Sequence, residues 1–222
     1  MSISENLNRI KSTIPKHVTL VAVSKTKPIN DLMEVYNSGH RVFGENKVQE
    51  MVDKYDLMPK DVEWHMIGHV QSNKVKYMAP FVSLIHGVDN FKLLKEINKQ
   101  AKKNNRTINC LLQIKIAEED SKFGMSADDA SKIFASDSLK EFKNIKITGV
   151  MGMATFTDNK NQIKEEFNRL KFIFDNLKEL ETENCKLETI SMGMSGDYQL
   201  AIACGSNMIR VGSSIFGSRN YN

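Results

Sequence analysis

Short apolar runs alternate with longer amphipathic stretches along the whole chain. Runs at 20–24, 41–44, 63–67, 82–87, 109–115, 146–151, 188–191 and 208–211 are rich in β-branched residues or flanked by glycine. That is the pattern of strands buried on both faces of a parallel sheet. Between them, apolar positions recur at helical spacing. Residues 30–38 carry Leu32, Met33, Val35 and Tyr36; residues 45–54 and 72–78 form two further helical stretches. Asp89 or Asn90 can cap a helix running to residue 100, with Leu93, Leu94 and Ile97 on one face. Ser126, with Asp129 three residues on, opens another in a capping-box-like arrangement. The longest stretch, 161–181, sets Ile163, Phe167, Leu170, Ile173, Phe174 and Leu177 at helical intervals. A short helix at 196–204 stops at Gly205. Eight strand–helix units in 222 residues predict a closed (β/α)₈ TIM barrel, one α/β domain spanning residues 1–222.

Composition narrows the function. Hydrophobic residues make up 41% and charged residues 26%, the balance of an ordinary globular protein. A net charge of +4, with both signs interspersed, is too mild to argue for nucleic acid. The Lys-rich run 99–106 has no aromatic partners and reads as a solvated helix end. No segment approaches the ~18 apolar residues that suggest a membrane span. Cys110, Cys185 and Cys204 lie far apart, with no ligand-spaced histidines, so no metal site is expected. An odd cysteine count behind a polar N-terminus suits the reducing cytoplasm. No heptad repeat argues for a coiled-coil partner, and a monomer is expected.

The chemistry begins at Lys25, which closes the first apolar run in Val21-Ala22-Val23-Ser24-Lys25. A strand end facing a core is a costly place for an ammonium group. A desolvated lysine, however, loses its proton more easily and becomes an amine nucleophile for a carbonyl. The alternative is a lysine that snorkels at the barrel rim. In such barrels the active site lies at the C-terminal strand ends. That rule gathers Lys25, Phe43-Gly44-Glu45-Asn46, Trp64-His65-Met66-Ile67-Gly68, His86 and Gly149-Val150-Met151-Gly152-Met153 on one rim. The same rim receives Ser191-Met192-Gly193-Met194-Ser195-Gly196-Asp197 and Arg210-Val211-Gly212-Ser213-Ser214. These last two Gly/Ser-rich loops follow strands seven and eight, where such barrels hold phosphate on backbone N–H groups. Ser195 adds a hydroxyl, and Gly212 permits close backbone approach. Each could also be an ordinary turn. An imine-forming lysine beside a phosphate cradle points to pyridoxal 5′-phosphate (PLP), with Arg210 facing the ring nitrogen. A ketose phosphate held as an imine, as in aldolases, would use the same two features.

Five ordered motifs carry a resemblance. Ala22-Val23-Ser24-Lys25-Thr26-Lys27-Pro28, Phe43-Gly44-Glu45-Asn46-Lys47-Val48-Gln49-Glu50, Trp64-His65-Met66-Ile67-Gly68 with Gln71-Ser72-Asn73-Lys74, Ser191-Met192-Gly193-Met194-Ser195 and Arg210-Val211-Gly212-Ser213-Ser214-Ile215-Phe216-Gly217 span nearly the whole chain. Together they resemble the pyridoxal phosphate homeostasis protein family, single-domain relatives of the alanine racemase N-terminal barrel. The resemblance implies that Lys25 forms the Schiff base and that Arg210 partners the pyridine nitrogen. It implies that Ser195, Gly212 and Ser213, with Met194 beside them, hold the phosphate, and that Asn46, His65 and Met151 line the ring pocket. Two positions depart from the family pattern. His69 stands where many members have proline, and Gly196 where an acidic residue is common.

Arginine at the ring nitrogen can only donate, so the nitrogen stays unprotonated and the ring is a poor electron sink. Racemisation also needs an acid/base group on each face of the substrate. The racemases supply one from a second domain, which this chain is too short to contain; Tyr198 and Tyr221 are the tyrosines near the cofactor loops. The expected function is therefore to hold PLP on Lys25 and take part in intracellular vitamin B6 homeostasis, as carrier to apo PLP enzymes or as regulator. A weak amino-acid racemase or lyase is the alternative.

Overall fold

The computed structural model describes residues 2–119 and 123–217. Eight parallel strands close in sequence order: β1 (Thr19–Val23), β2 (Val42–Glu45), β3 (Glu63–Met66), β4 (Leu84–Val88), β5 (Ile108–Gln113), β6 (Ile145–Met151), β7 (Cys185–Ser191) and β8 (Met208–Val211). Closure is made by β1 on β8, with Thr19 opposite Met208 and Val21 opposite Arg210. The fold is therefore the expected barrel. Its helices are α1 (Ile3–Thr13), α2 (Ile29–Asn37), α3 (Val48–Leu57), α4 (Val75–Met78), α5 (Phe91–Lys103), α6 (Ala127–Ala135), α7 (Asp137–Lys140), α8 (Lys160–Lys178), α9 (Tyr198–Ala203) and α10 (Ser213–Phe216).

Two cores form, one on each face of the strands. The larger fills the space between strands and helices and includes Phe43, Trp64, Leu94, Phe167 and Leu170. The smaller plugs the barrel interior with Val21, Leu84, Leu111, Met151 and Met208. This is the layered packing that makes such a barrel solid below its open rim.

Caps act where the sequence places them. Asn90 accepts from Leu93 N–H at 2.8 Å and opens α5; Ser126 accepts from Asp129 N–H at 3.1 Å and opens α6. Most boundaries shift by one to three residues, and two of the shifts have a visible cause. β7 begins at Cys185, three residues before the apolar run, because exposed Lys186 and Glu188 alternate with buried Cys185 and Leu187. α3 begins at Val48, because Glu45 belongs to β2 and pairs with Met66. The polar N-terminal segment is also a helix. Ser2 and Glu5 form a capping box, and α1 buries Leu7 and Ile10 while packing on α2 and α10. Since α10 is only one turn long, α1 covers wall that a full final helix would otherwise cover.

Candidate functional site

A cavity of about 750 Å³ opens at the C-terminal ends of the strands. Lys25, Asn46, Met194, Ser195, Arg210, Gly212 and Ser213 all line it, as the strand-end rule requires. His65 and Met151 do not. Both are buried inside the barrel, and the wall is made instead by Ile67 and Met153, each two residues farther along. Two residues of strand rise about 6.6 Å. The alternation that turns His65 and Met151 inward therefore leaves them beneath the floor.

The floor is polar and held by hydrogen bonds. Arg210 Nη1 donates to Ser191 O at 2.9 Å and to Ser191 Oγ at 2.6 Å; Nη2 donates to Gly152 O at 3.0 Å. These bonds use three of the five guanidinium N–H groups. Burial brings the Arg210 pKa down to about 10, opposed by Asp197, so the side chain stays charged near neutrality. Ser191 Oγ lies 3.0 Å from His86 Nδ1, and His86 Nε2 lies 3.1 Å from His65 Nδ1. Burial lowers His65 to about 3 and His86 well below its ordinary value, with repulsion from His65 and Arg210 adding to the latter. Both rings are neutral, and a hydrogen-bonded row runs from β3 across β4 and β7 to Arg210.

A second corner is built to hold oxygen. Ser195 Oγ accepts from Gly212 N–H at 3.2 Å and from Ser214 N–H at 3.4 Å. Two backbone donors thus converge on one oxygen, the arrangement an anion's oxygens require. At Gly212 an added Cβ would lie 3.2 Å from Val23 O and 3.3 Å from Val23 Cβ, so only glycine leaves this loop unhindered against β1. Gly196, by contrast, has nothing within 4 Å of an added Cβ, and its departure from the family pattern leaves space rather than a clash. The residues present therefore fit a ligand with an aldehyde end, an acceptor nitrogen and an anionic tail.

Sequence reasoning missed part of the rim. Gln113, Phe123 and Phe156 also line the cavity, as does His69, whose ring stacks on Phe123 at 4.3 Å and whose Nδ1 meets Asp89 at 2.9 Å. Phe123 and Phe156 are exposed and come from loops, where no periodic signal marks them. Tyr198 is turned away; its hydroxyl lies 3.2 Å from Thr13 Oγ1. Tyr221 lies outside the described residues. Among the described residues, no group of three or more His, Cys, Asp or Glu side chains could hold a metal, and no helix is long and apolar enough to cross a membrane.

A barrel of this topology with a lysine on its first strand end is the architecture of the alanine racemase N-terminal domain. Residues 1–220 match the model of that family, and the chain belongs to it. It is 35% identical to the pyridoxal phosphate homeostasis protein of Haemophilus influenzae over 100% of this chain and 98% of that one. Its identity to the protein of the same name from Aquifex aeolicus is 36%, over 100% of both chains. PipY of Synechococcus elongatus PCC7942, solved with PLP bound, superposes with a TM-score of 0.89 at 31% identity, covering 97% of this chain and 100% of PipY. Alanine racemase of Clostridium difficile 630 shares the fold alone, with a TM-score of 0.81 at 15% identity over 61% of its length.

Proposed function

We propose that this chain binds PLP in the rim cavity, with Lys25 Nζ as the point of covalent attachment, and takes part in PLP homeostasis as carrier or regulator. The observation that carries this reading is the meeting of Lys25, Arg210 and the Ser195–Gly212–Ser213 corner in one cavity. PLP supplies an aldehyde that condenses with a primary amine, losing water, and an electron-withdrawing ring. Lys25 would hold the aldehyde end. The N–H groups of Gly212 and Ser214, with the hydroxyls of Ser195 and Ser213, would hold the phosphate. Arg210 would donate to the ring nitrogen, and Asn46, Ile67, Met153 and Met194 would wall the ring.

A charged arginine gives that nitrogen no proton, which favours keeping the cofactor over activating it. The Tyr198 hydroxyl, engaged with Thr13, supports the carrier reading over the racemase alternative. The relatives' names and the PLP-bound neighbour support the same ligand. We read residues 1–222 as one barrel domain acting as a monomer, with apo PLP enzymes as its partners. Three buried free thiols suit the cytoplasm.

The test is mass spectrometry of borohydride-reduced protein after incubation with PLP. A pyridoxyl adduct on the peptide holding Lys25, absent from a folded Lys25→Ala variant, is expected. An adduct elsewhere, or none, refutes the assignment.

A further inference from the structure

The turn that carries Lys25 is held on both sides by one ionic cluster outside the cavity. Ser24 points away from the barrel interior and Lys25 into the cavity, and the chain then turns through Thr26 at φ +63°. A β-branched residue in the left-handed region crowds its own backbone, so the surroundings must hold it there. On one side, Ser24 Oγ donates to Glu45 Oε1 at 2.6 Å, and Ser24 O accepts from Lys54 Nζ at 2.7 Å. On the other, Thr26 N–H donates to Glu50 Oε1 at 2.5 Å. Lys54 Nζ joins the two carboxylates, at 2.8 Å from Glu45 and 2.7 Å from Glu50. All three ammonium protons are thereby used. Lys27 Nζ extends the restraint by donating to Phe216 O at 2.9 Å, tying the turn to the end of α10.

Net stability is a poor reason for such a cluster. A buried ion pair is often no better than apolar packing of the same shape. Here Glu45 is fully buried and its Oε2 has no hydrogen-bond partner, so one acceptor pays its desolvation uncompensated. What the cluster does achieve is geometric. It grips the backbone immediately before and after Lys25, and none of its three charged members lines the cavity.

We propose that Glu45, Glu50 and Lys54 are positioning residues: a clamp behind the barrel wall that fixes the Lys25 turn and so sets how readily its amine reaches the aldehyde end of the cofactor. The inference rests on the reading of Lys25 as the attachment point. A lysine stem has four rotatable bonds, so its backbone direction decides how much of its range falls within the cavity. The clamp acts on covalent capture: the phosphate contacts come from the loop after β7, the end of β8 and α10, and of the ring contacts only Asn46 adjoins the clamp, Arg210, Ile67, Met153 and Met194 lying on β8 and the loops after β3, β6 and β7.

Pyridoxine 5′-phosphate separates the two effects, because it has the phosphate and ring but an alcohol in place of the aldehyde. Wild type, Glu50→Ala and Glu50→Gln are each measured for dissociation of pyridoxine 5′-phosphate and for capture of PLP, read as borohydride-trapped pyridoxyl mass on the Lys25 peptide. Losing one charged acceptor for Thr26 N–H is expected to slow capture about tenfold in Glu50→Ala. Binding of the alcohol should stay within about twofold, and Glu50→Gln, which keeps an acceptor oxygen, should recover most of the capture rate. Glu50→Asp keeps the charge but falls a methylene short of Thr26; it gives the same comparison should the alanine variant misfold. Equal loss for both ligands, or undiminished capture in Glu50→Ala and Glu50→Asp, overturns the clamp. A wild-type protein that captures no PLP on Lys25 overturns the attachment reading itself, and shows this before any variant is compared.

Discussion

Seven residues at or just beyond strand ends meet at the cavity because the chain ends its strands where its motifs lie. Lys25, Asn46, Met194, Ser195, Arg210, Gly212 and Ser213 were legible for that reason. Depth was not. A period of two says which face a residue takes, and it says nothing of how far down the barrel the residue sits; hence His65 and Met151 were expected where Ile67 and Met153 stand. Gly212 allows a residue-scale test. A Cβ there would press on Val23 O and Val23 Cβ, and either the loop or β1 must yield by a few tenths of an ångström. Gly212→Ala is expected to weaken pyridoxine 5′-phosphate about fivefold, equivalent to about 1 kcal/mol, in a calorimetric titration. Unchanged affinity would show that the loop after β8 does not hold the phosphate.

At the scale of elements, the seam between β2 and α3 is the least ordinary part of the barrel. Burial pushes the Glu45 carboxyl up from its ordinary value, against the pull of Lys54 and Ser24. Removing one member of a buried pair costs more than removing both, because the survivor keeps its desolvation penalty. Lys54→Met is therefore expected to lower unfolding free energy by about 3–5 kcal/mol. Adding Glu45→Gln should return part of that loss, since the group left at position 45 is then a neutral amide. Urea denaturation of the two variants checks it; a double variant no more stable than Lys54→Met would mean that Glu45 is not charged in the fold. No pattern along the chain marks this seam. Glu45 and Lys54 read as polar positions of one helical stretch, whereas β2 takes the first and α3 the second.

At the scale of the whole molecule, His40, His65 and His86 are buried, and burial holds all three below their ordinary pKa of 6.5: His40 to about 4, His65 to about 3, His86 well below. In the unfolded chain each takes up a proton near pH 6.5. In the folded chain none does until far lower. Protons therefore favour the unfolded state as pH falls from 6.5 toward 4, and the stability present above 6.5 is lost across that window. Each ring contributes up to about 1.4 kcal/mol per pH unit, so the three together give up to about 4. Denaturant titrations between about pH 7 and about pH 5 should show this slope. A flat profile would mean that the rings protonate inside the fold.

The order of the eight strands and of the long helices between them was determined by the sequence alone, since apolar period and caps are local properties of the chain; α1 and α10 were not. Eight alternating units then admit few arrangements other than a closed parallel barrel. The tertiary structure alone decided what depends on stagger and docking: which inward residues reach the rim, which loop aromatics arrive there, and how Glu45, Glu50 and Lys54 come to grip the turn of a lysine some twenty to thirty positions earlier. Those contacts join segments distant along the chain, and their distances exist only once the barrel has closed.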